Sequence, residues 1–188
     1  MEDLAHLVEG MRFVGSEFLV WLWFESELFE GSLQLIDGTQ CELWFESQLL
    51  LVRDREQASL KGEAPSANPE AHEALRQGKL PTKARIRLIR NELEYGFVLT
   101  ADDLSLSSAK IPAQLKKEKD EQFYERMYLI EELETMLEGL FADFLVLRLG
   151  KAWDSFVLPN IRTWVKEDKA DIDGYTRKRA EAITRKRK

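Results

Sequence analysis

The chain has 188 residues, of which 44% are hydrophobic and 10% aromatic, and its formal net charge is −7. This length and composition suit one compact domain and exclude a wholly disordered chain. The charge argues against a protein that binds nucleic acid through its bulk charge. The average hides an asymmetry, because residues 161–188 hold ten basic and five acidic side chains, a local balance of +5 that leaves −12 for residues 1–160.

Cysteine content and hydropathy bear on the compartment. Cys41 is the only cysteine, so the chain cannot form an internal disulfide, which fits a reducing compartment. The N-terminal residues MEDLAHLVEG lack the basic start and apolar run of a signal peptide. The strongest apolar run, residues 18–23, is far too short to span a bilayer. We expect a soluble, cytoplasmic protein with no membrane partner.

The first predicted element is a buried helix. Ser16 before Glu17 is typical of an N-cap, and Glu17–Glu27 is apolar almost all round. Gly31 would end this helix.

A β-rich section follows the helix. Asp37-Gly38 is a strong hairpin signal. Alternating or continuous apolar patterns predict three strands, at 33–35, 42–47 and 49–53. Further on, Asn68 can cap a short helix that has Pro69 at its first position and ends near Gly78.

The clearest element is a hairpin over residues 83–100. If Asn91-Glu92 forms a two-residue turn, every facing pair on one side is apolar: Leu88 with Tyr95, Ile86 with Phe97, and Ala84 with Leu99. The other side then carries Lys83, Arg85 and Arg87, opposite Thr100, Val98 and Gly96. This register predicts a basic stripe with no acidic partner across the hairpin.

The C-terminal third is predicted to be helical. Residues 112–120 form a linker or a helix start, and apolar steps of three and four predict a long helix over 121–149. Gly150 ends it, and a further helix is bent or interrupted at Pro159. From Lys169 onward the chain lacks apolar periodicity and is expected to be mobile. The predicted fold is α+β, with antiparallel hairpins packed on helices in one domain, 1–168, and a basic tail, 169–188.

The chain offers little for catalysis. It contains no metalloprotease, CxxC, P-loop or dinucleotide-binding motif. His72 lies on a polar helix and is interpreted as a solvated residue, Asp102-Asp103 as a turn, and Cys41 as a small core residue. The acidic residues at 131, 132, 134 and 138 are explained as the polar side of a helix. We therefore predict no catalytic residue, no metal site and no cofactor.

Basic residues are the better functional candidates. Lys83, Arg85 and Arg87 repeat about every 6.6 Å along one strand face and could contact phosphates. A solvated or covered sheet face explains them equally well. The tail bases could bind nucleic acid as a flexible arm or simply keep the terminus soluble; they are Arg177, Lys178, Arg179, Arg185, Lys186, Arg187 and Lys188. Trp21, Trp23, Trp153 and Trp164 fit core or dimer contacts better than base stacking.

The order of elements resembles the C-terminal half of the RdgC family of bacterial recombination-associated proteins. The similarity includes a short helix ending in Gly78-Lys79, a Thr82-Lys83 step into a hairpin, and a strand at 104–111. A helix start of the form F-x-x-R-x-x-L/I follows at Phe123. The segment FLVWLWFESELFEGSLQLIDG resembles the Trp-containing stretch before the family's first C-terminal strand. The resemblance covers about residues 17–144, and this chain lacks a counterpart of the family's N-terminal half.

The resemblance implies a dimeric, ring-like protein that encircles duplex DNA without sequence preference and restrains RecA-driven recombination. Family members are acidic overall, with positive charge gathered on the inner surface of the ring. The positions that match this basic segment are Lys61, Lys79 and Lys83. The family also carries an exonuclease label, but no nuclease metal cluster is visible in this sequence.

These observations lead to one main expectation. We expect non-sequence-specific DNA binding by a nucleoid-associated homo-oligomer that is linked to recombination or replication and contacts a recombinase. The main alternative is a protein-interaction or oligomerisation module that uses Trp153, Phe156 and Trp164. A metal-dependent nuclease is a third hypothesis.

Overall fold

The computed structural model describes residues 12–35, 38–113, 115–167 and 171–184. A six-stranded antiparallel sheet has helices on one face, which confirms the α+β prediction. The helices are α1 Arg12–Leu28, α2 Pro69–Arg76, α3 Lys119–Arg148, α4 Leu158–Glu167 and α5 Ile172–Thr184. The strands are β1 Ser32–Gln34, β2 Gln40–Arg53, β3 Glu56–Gly62, β4 Leu80–Arg90, β5 Leu93–Thr100 and β6 Leu106–Lys110. Among these helices, none is long and apolar enough to cross a bilayer.

Helix α1 is the centre of the core, and its residues 18–24 are all buried. The prediction that Ser16 caps this helix is wrong, because α1 begins at Arg12 and Ser16 is buried within it. Gly15 lets the backbone of α1 approach the C-terminal end of β5 closely, since a side chain there would collide with the Ala101 carbonyl. Gly31 ends the helical segment as predicted: its φ is +83° and its N–H donates to the Ser26 carbonyl.

The strand order is β1-β2-β4-β5-β6, and β3 pairs with the second half of β2. The two strands predicted at 42–47 and 49–53 are one strand, β2. It is interrupted by a register shift between Phe45 and Leu49, where Ser47 has a positive φ of 45°. In the turn before β2, Gly38 N–H donates to the Leu35 carbonyl, and Asp37 lies outside the described residues.

The hairpin of β4 and β5 has the predicted register at every pair. Asn91 and Glu92 both have positive φ, 50° and 66°, as a two-residue turn that matches the strand twist requires. The predicted short helix is also confirmed. Asn68 accepts from the Glu70 N–H with its side chain, and Pro69 is the first residue of α2.

The long helix α3 and its C-terminal neighbour hold the helical layer together. From Leu129 onward α3 packs on the sheet and α1; Phe18 lies 5.1 Å from Phe141 between ring centroids. A π-helical turn, Trp153–Val157, leads directly into α4. The predicted interruption therefore lies one turn before Pro159. Proline has no N–H to donate to the carbonyl of the preceding turn, and its ring crowds that carbonyl.

The expectation of a mobile tail from Lys169 is wrong for residues 172–184, which form α5. Asp171 accepts from the Gly174 N–H at its start, and Tyr175 is fully buried in the core cluster. Residues 168–170 and 185–188, including the predicted DNA contacts Arg185, Lys186, Arg187 and Lys188, lie outside the described residues.

Candidate nucleic-acid interface

The sheet has an outer face, opposite the helices, on which five basic residues lie. Strand alternation puts Ala84, Ile86 and Leu88 in the core and turns their neighbours outward. The strand pairings extend this pattern across the sheet, since Gly96 of β5 faces both Arg87 and Lys110. The five bases of the outer face are Lys61, Lys83, Arg85, Arg87 and Lys110.

Arg85 lies at the centre of this face. Its Nη1 donates to the Ser108 carbonyl at 3.1 Å. A Cβ on Gly96 would approach Arg85 Nη2 to 3.1 Å, so the glycine leaves room for the guanidinium to lie flat on the sheet. The guanidinium keeps donors for a further ligand, because only one of its N–H groups is used in this contact.

Arg87 corrects the prediction of a stripe without neutralisation. Its Nε lies 2.8 Å from Glu46 Oε1, an ion pair whose N–H is not aligned for a hydrogen bond. Glu94 Oε2 lies 4.0 Å from Arg87 Nη1. Glu46 belongs to β2, the other neighbour of β4, so the pairing of β4 with β5 alone could not reveal it.

The three lysines of the outer face are less engaged. Within the described ranges, Lys61, Lys83 and Lys110 form no ion pair and no side-chain hydrogen bond. Asp103, in the turn after β5, accepts hydrogen bonds from Ser105, which lower the pKa of its carboxyl group, and Lys83 lowers it further. Asp102-Asp103 is thus a turn, as predicted.

Lys79, a position implied by the family resemblance, is occupied by local partners. Its Nζ lies 3.5 Å from Glu56 Oε2 and donates to Gln77 Oε1, and its side chain is only 14% exposed. A phosphate would have to compete with these contacts.

The tail bases within the described residues divide into two kinds. Arg177 and Lys178 are exposed on α5, which packs in the helical layer and not on the outer face. Arg179 is largely enclosed, with its side chain 12% exposed: its Nε donates to Glu25 Oε1 at 2.8 Å, and Nη2 lies 3.8 Å from Asp143 Oδ2. These carboxylates hold the guanidinium of Arg179 in the helical layer, in contrast to the DNA contact predicted for it.

Glu25 is the centre of a buried polar network. Its side chain has no exposed surface, and Tyr175 Oη donates to the same oxygen, Oε1, at 2.7 Å. Burial, and then the Glu25 charge, raise the pKa of Tyr175 well above its usual value. The network joins α1, α3 and α5, and its chemistry is that of a structural tie.

A second polar cluster corrects the interpretation of His72 as solvated. His72 is 7% exposed and lies between two indoles, 5.4 Å from Trp23 and 4.9 Å from Trp164 by ring centroids. Glu27 joins the cluster, because Oε2 accepts from Trp164 Nε1 at 2.9 Å and Oε1 lies 3.4 Å from His72 Nε2.

Other predicted sites have their expected structural roles. Cys41 and four tryptophans, Trp21, Trp23, Trp153 and Trp164, are buried in the core. This burial, with that of Phe156, removes the residues expected to support an interaction module. Of the acidic residues on α3, Glu132 accepts from the Tyr95 hydroxyl at 2.7 Å. No group of three or more His, Cys, Asp or Glu in the described chain could hold a metal ion.

Comparison with known proteins finds no family model and no curated protein that matches this chain. The chemistry of the interface therefore has to come from its own geometry. The exposed Lys61 and Lys110, the half-buried Lys83 and a partly engaged arginine on an open sheet are suited to phosphate oxygens. They offer no set of paired donors and acceptors that would identify a nucleobase.

Lys110 is the residue that sequence reasoning missed. It lies in the segment 104–111 that was predicted as a strand, but no partner strand was assigned to it. The register of β6 with β5 places Lys110 two strands from Arg87. An apolar pairing signal could not reveal this, because all five side chains of β6 are exposed.

Proposed function

We propose that this protein binds DNA without sequence preference, through phosphate contacts on its outer face. The observation that supports this proposal is the open sheet face with five basic residues, of which only Arg87 is ion-paired among the described residues. A positively charged open sheet is a common platform for nucleic acid, and phosphate contacts alone carry no sequence information.

The acidic remainder of the chain confines this contact. Residues 1–160 carry a net charge of −12, so most of the surface that they form away from the basic side chains of the outer face repels phosphate. Counterions leave the DNA only where its phosphates contact the basic side chains of the outer face. We therefore propose local binding that weakens steeply as salt rises.

The resemblance to the RdgC family supplies the biological context of the proposal. Two of the three matching positions, Lys61 and Lys83, belong to the outer face. On this basis we propose a non-enzymatic, nucleoid-associated protein that acts in recombination or replication, as a homo-oligomer and in contact with a recombinase.

The proposal is tested by fluorescence anisotropy with labelled duplex and single-stranded oligonucleotides, from 20 to about 200 mM salt. The test variant reverses three outer-face charges, Lys83→Glu, Arg85→Glu and Lys110→Glu. If each of these three basic side chains neutralises one phosphate, their reversal should make the slope of log affinity against log salt shallower by about 2 to 3 for duplex DNA. The same measurement shows whether duplex or single strands are preferred.

The matched control reverses three exposed lysines, two just before α3 and one at its first residue: Lys116→Glu, Lys117→Glu and Lys119→Glu. It changes the net charge equally and should leave most of the affinity. An Arg177→Glu/Lys178→Glu variant measures the contribution of α5. Equal losses in test and control variants, or no binding of wild type at 20 mM salt, would overturn the proposal. Degradation of the DNA with added magnesium would favour the nuclease hypothesis instead.

A further inference from the structure

The first ten residues of α3, Lys119–Tyr128, form an overhang. None of their side chains is buried, and Leu129 is the first residue of α3 that is. At 1.5 Å per residue the overhang is about 15 Å long. The rest of α3 is fixed against α1 and the sheet, so the overhang cannot fold back onto its own helical layer.

The overhang presents an apolar patch. Half of the ten exposed large hydrophobic residues of the described chain lie in residues 115–128. They are Leu115, Phe123, Tyr124, Met127 and Tyr128, and each is at least 50% exposed. Aromatic residues and methionine are enriched in protein interfaces, and a contiguous exposed patch of them marks an interaction surface.

The patch is ordered before any partner arrives. Glu125 accepts hydrogen bonds from the Leu115 and Lys116 N–H groups at 3.0 to 3.1 Å, and these bonds lower the pKa of its carboxyl group. Gln122 Nε2 donates to the Lys116 carbonyl at 2.9 Å. The segment before α3 is therefore tied to the overhang, which reduces the entropy cost of binding.

Carboxylates flank the patch at both ends. Asp120, Tyr124, Met127 and Glu131 are spaced by four, three and four residues, so they follow one line on the helix, and all four are exposed. A complementary partner needs an apolar surface with basic residues at its rim.

The same chain has such a surface. A groove of about 600 Å³ lies between α1, α2, the start of β4 and α4. Its apolar lining includes Val20, Leu75, Leu80, Ile161 and Val165. Arg76, Arg162 and Lys166 lie on its rim, and the one acidic lining residue, Glu17, is bound by Arg148 at 2.7 Å. Arg162 and Lys166 form no ion pair within the described ranges.

We propose that the overhang of one copy docks into this groove on a second copy of the chain. Tyr124 and Met127 cover the apolar lining, and Asp120 and Glu131 approach Arg162 and Lys166. Because the two surfaces are distinct, a two-fold pair makes the contact twice. This contact rests on the homo-oligomer of the proposed function, but it can be tested separately from DNA binding, since none of these residues lies on the outer face.

The first test measures mass by sedimentation equilibrium over a range of concentrations. Wild type should reach twice the 21.9 kDa of one chain. An overhang variant, Tyr124→Ser/Met127→Ser, and a groove variant, Arg162→Glu/Lys166→Glu, should each raise the dissociation constant at least about tenfold, the effect of roughly 1.4 kcal/mol. Leu149→Ser/Ile172→Ser and Arg177→Glu/Lys178→Glu are the matched controls and should associate as wild type does.

The decisive test mixes the two defective variants, one of them fluorescently labelled. The groove variant keeps its overhang and the overhang variant keeps its groove, so together they have one working contact and should form a mixed dimer. Adding Asp120→Lys/Glu131→Lys to the groove variant should also restore its self-association. A wild type that stays monomeric, or a mixture of folded variants that does not associate, would overturn the proposal. Circular dichroism and thermal unfolding establish that each variant is folded.

Discussion

Two sets of basic residues, on α5 and on β4, have opposite environments. Arg179 of α5 is enclosed by carboxylates, and its side chain is 12% exposed. Lys83 of β4 is half-buried on the outer face and forms no ion pair among the described residues. Arg179 comes from the most basic stretch of the sequence, yet it is the less available of the two for a phosphate. The density of charge along a chain thus says little about which basic side chains a ligand can reach.

The difference arises from helical spacing. Tyr175, Arg179 and Ala182 are four and three residues apart, so they face the same neighbours. Tyr175 is buried and Ala182 packs against the core. Arg179 lies between them on the same side of α5, so its side chain enters the helical layer and donates to Glu25. On β4 the alternation of a strand turns every second side chain outward instead.

The largest effect is expected from Arg179→Met, which removes the cation from this layer. The change removes the positive charge that pairs with the buried carboxylates of Glu25 and Asp143, so the free energy of unfolding should fall by about 3 to 5 kcal/mol. Urea denaturation measures it. Arg177→Met, on the exposed side of the same helix, is the control and should stay within about 0.5 kcal/mol of wild type. Equal effects of the two changes would mean that α5 does not dock as described.

A smaller effect is expected from Tyr175→Phe. Glu25 loses the hydrogen bond from the Tyr175 hydroxyl, which should cost about 1 to 3 kcal/mol at neutral pH. The pKa of Tyr175 is raised in the folded protein, so the unfolded chain ionises first as pH rises. The stability that this residue contributes is complete below pH 10 and declines above it, at up to about 1.4 kcal/mol per pH unit.

Urea midpoints between neutral pH and pH 10.5 measure this dependence. The variant should lose stability less steeply with pH than wild type does. Tyr95, whose pKa is raised by burial and by its bond to Glu132, should behave in the same direction when changed to phenylalanine. Parallel pH profiles for wild type and Tyr175→Phe would contradict the buried network.

The smallest effect is expected on the outer face. Lys83→Met removes a charge that has no ion-pair partner in the described chain, so the free energy of unfolding should change by no more than about 0.5 kcal/mol. Replacing a basic residue by methionine should thus destabilise the protein on α5 and be tolerated on β4. A loss of more than about 2 kcal/mol at Lys83 would show that the outer face is covered rather than open.

Local signals were sufficient for much of the fold. The register of the β4–β5 hairpin followed from facing apolar pairs, and α3 followed from its apolar spacing. α5 escaped prediction because the central position of its buried stripe is Arg179, which a search for apolar periodicity passes over. His72 was misinterpreted because the indoles that bury it come from α1 and α4, far away in sequence.

The candidate site was only partly predictable for the same reason. The stripe on β4 could be derived from the hairpin, since both strands are adjacent in sequence. Glu46 and Lys110 come from β2 and β6, and their positions depend on pairings that neither strand specifies alone. The overhang was predicted as helix, but its exposure depends on where the body of the protein ends.

Gly31 has a consequence for spectroscopy. Its missing side chain leaves space that the Trp44 ring occupies, because a Cβ there would collide with that ring. Trp44 is 37% exposed on the outer face, whereas the other four indoles are at most 4% exposed. Iodide in the solvent therefore reaches one fluorophore of five. The emission that iodide quenches in the intact protein comes from the surface proposed to meet DNA, so a bound oligonucleotide should shield it without any label.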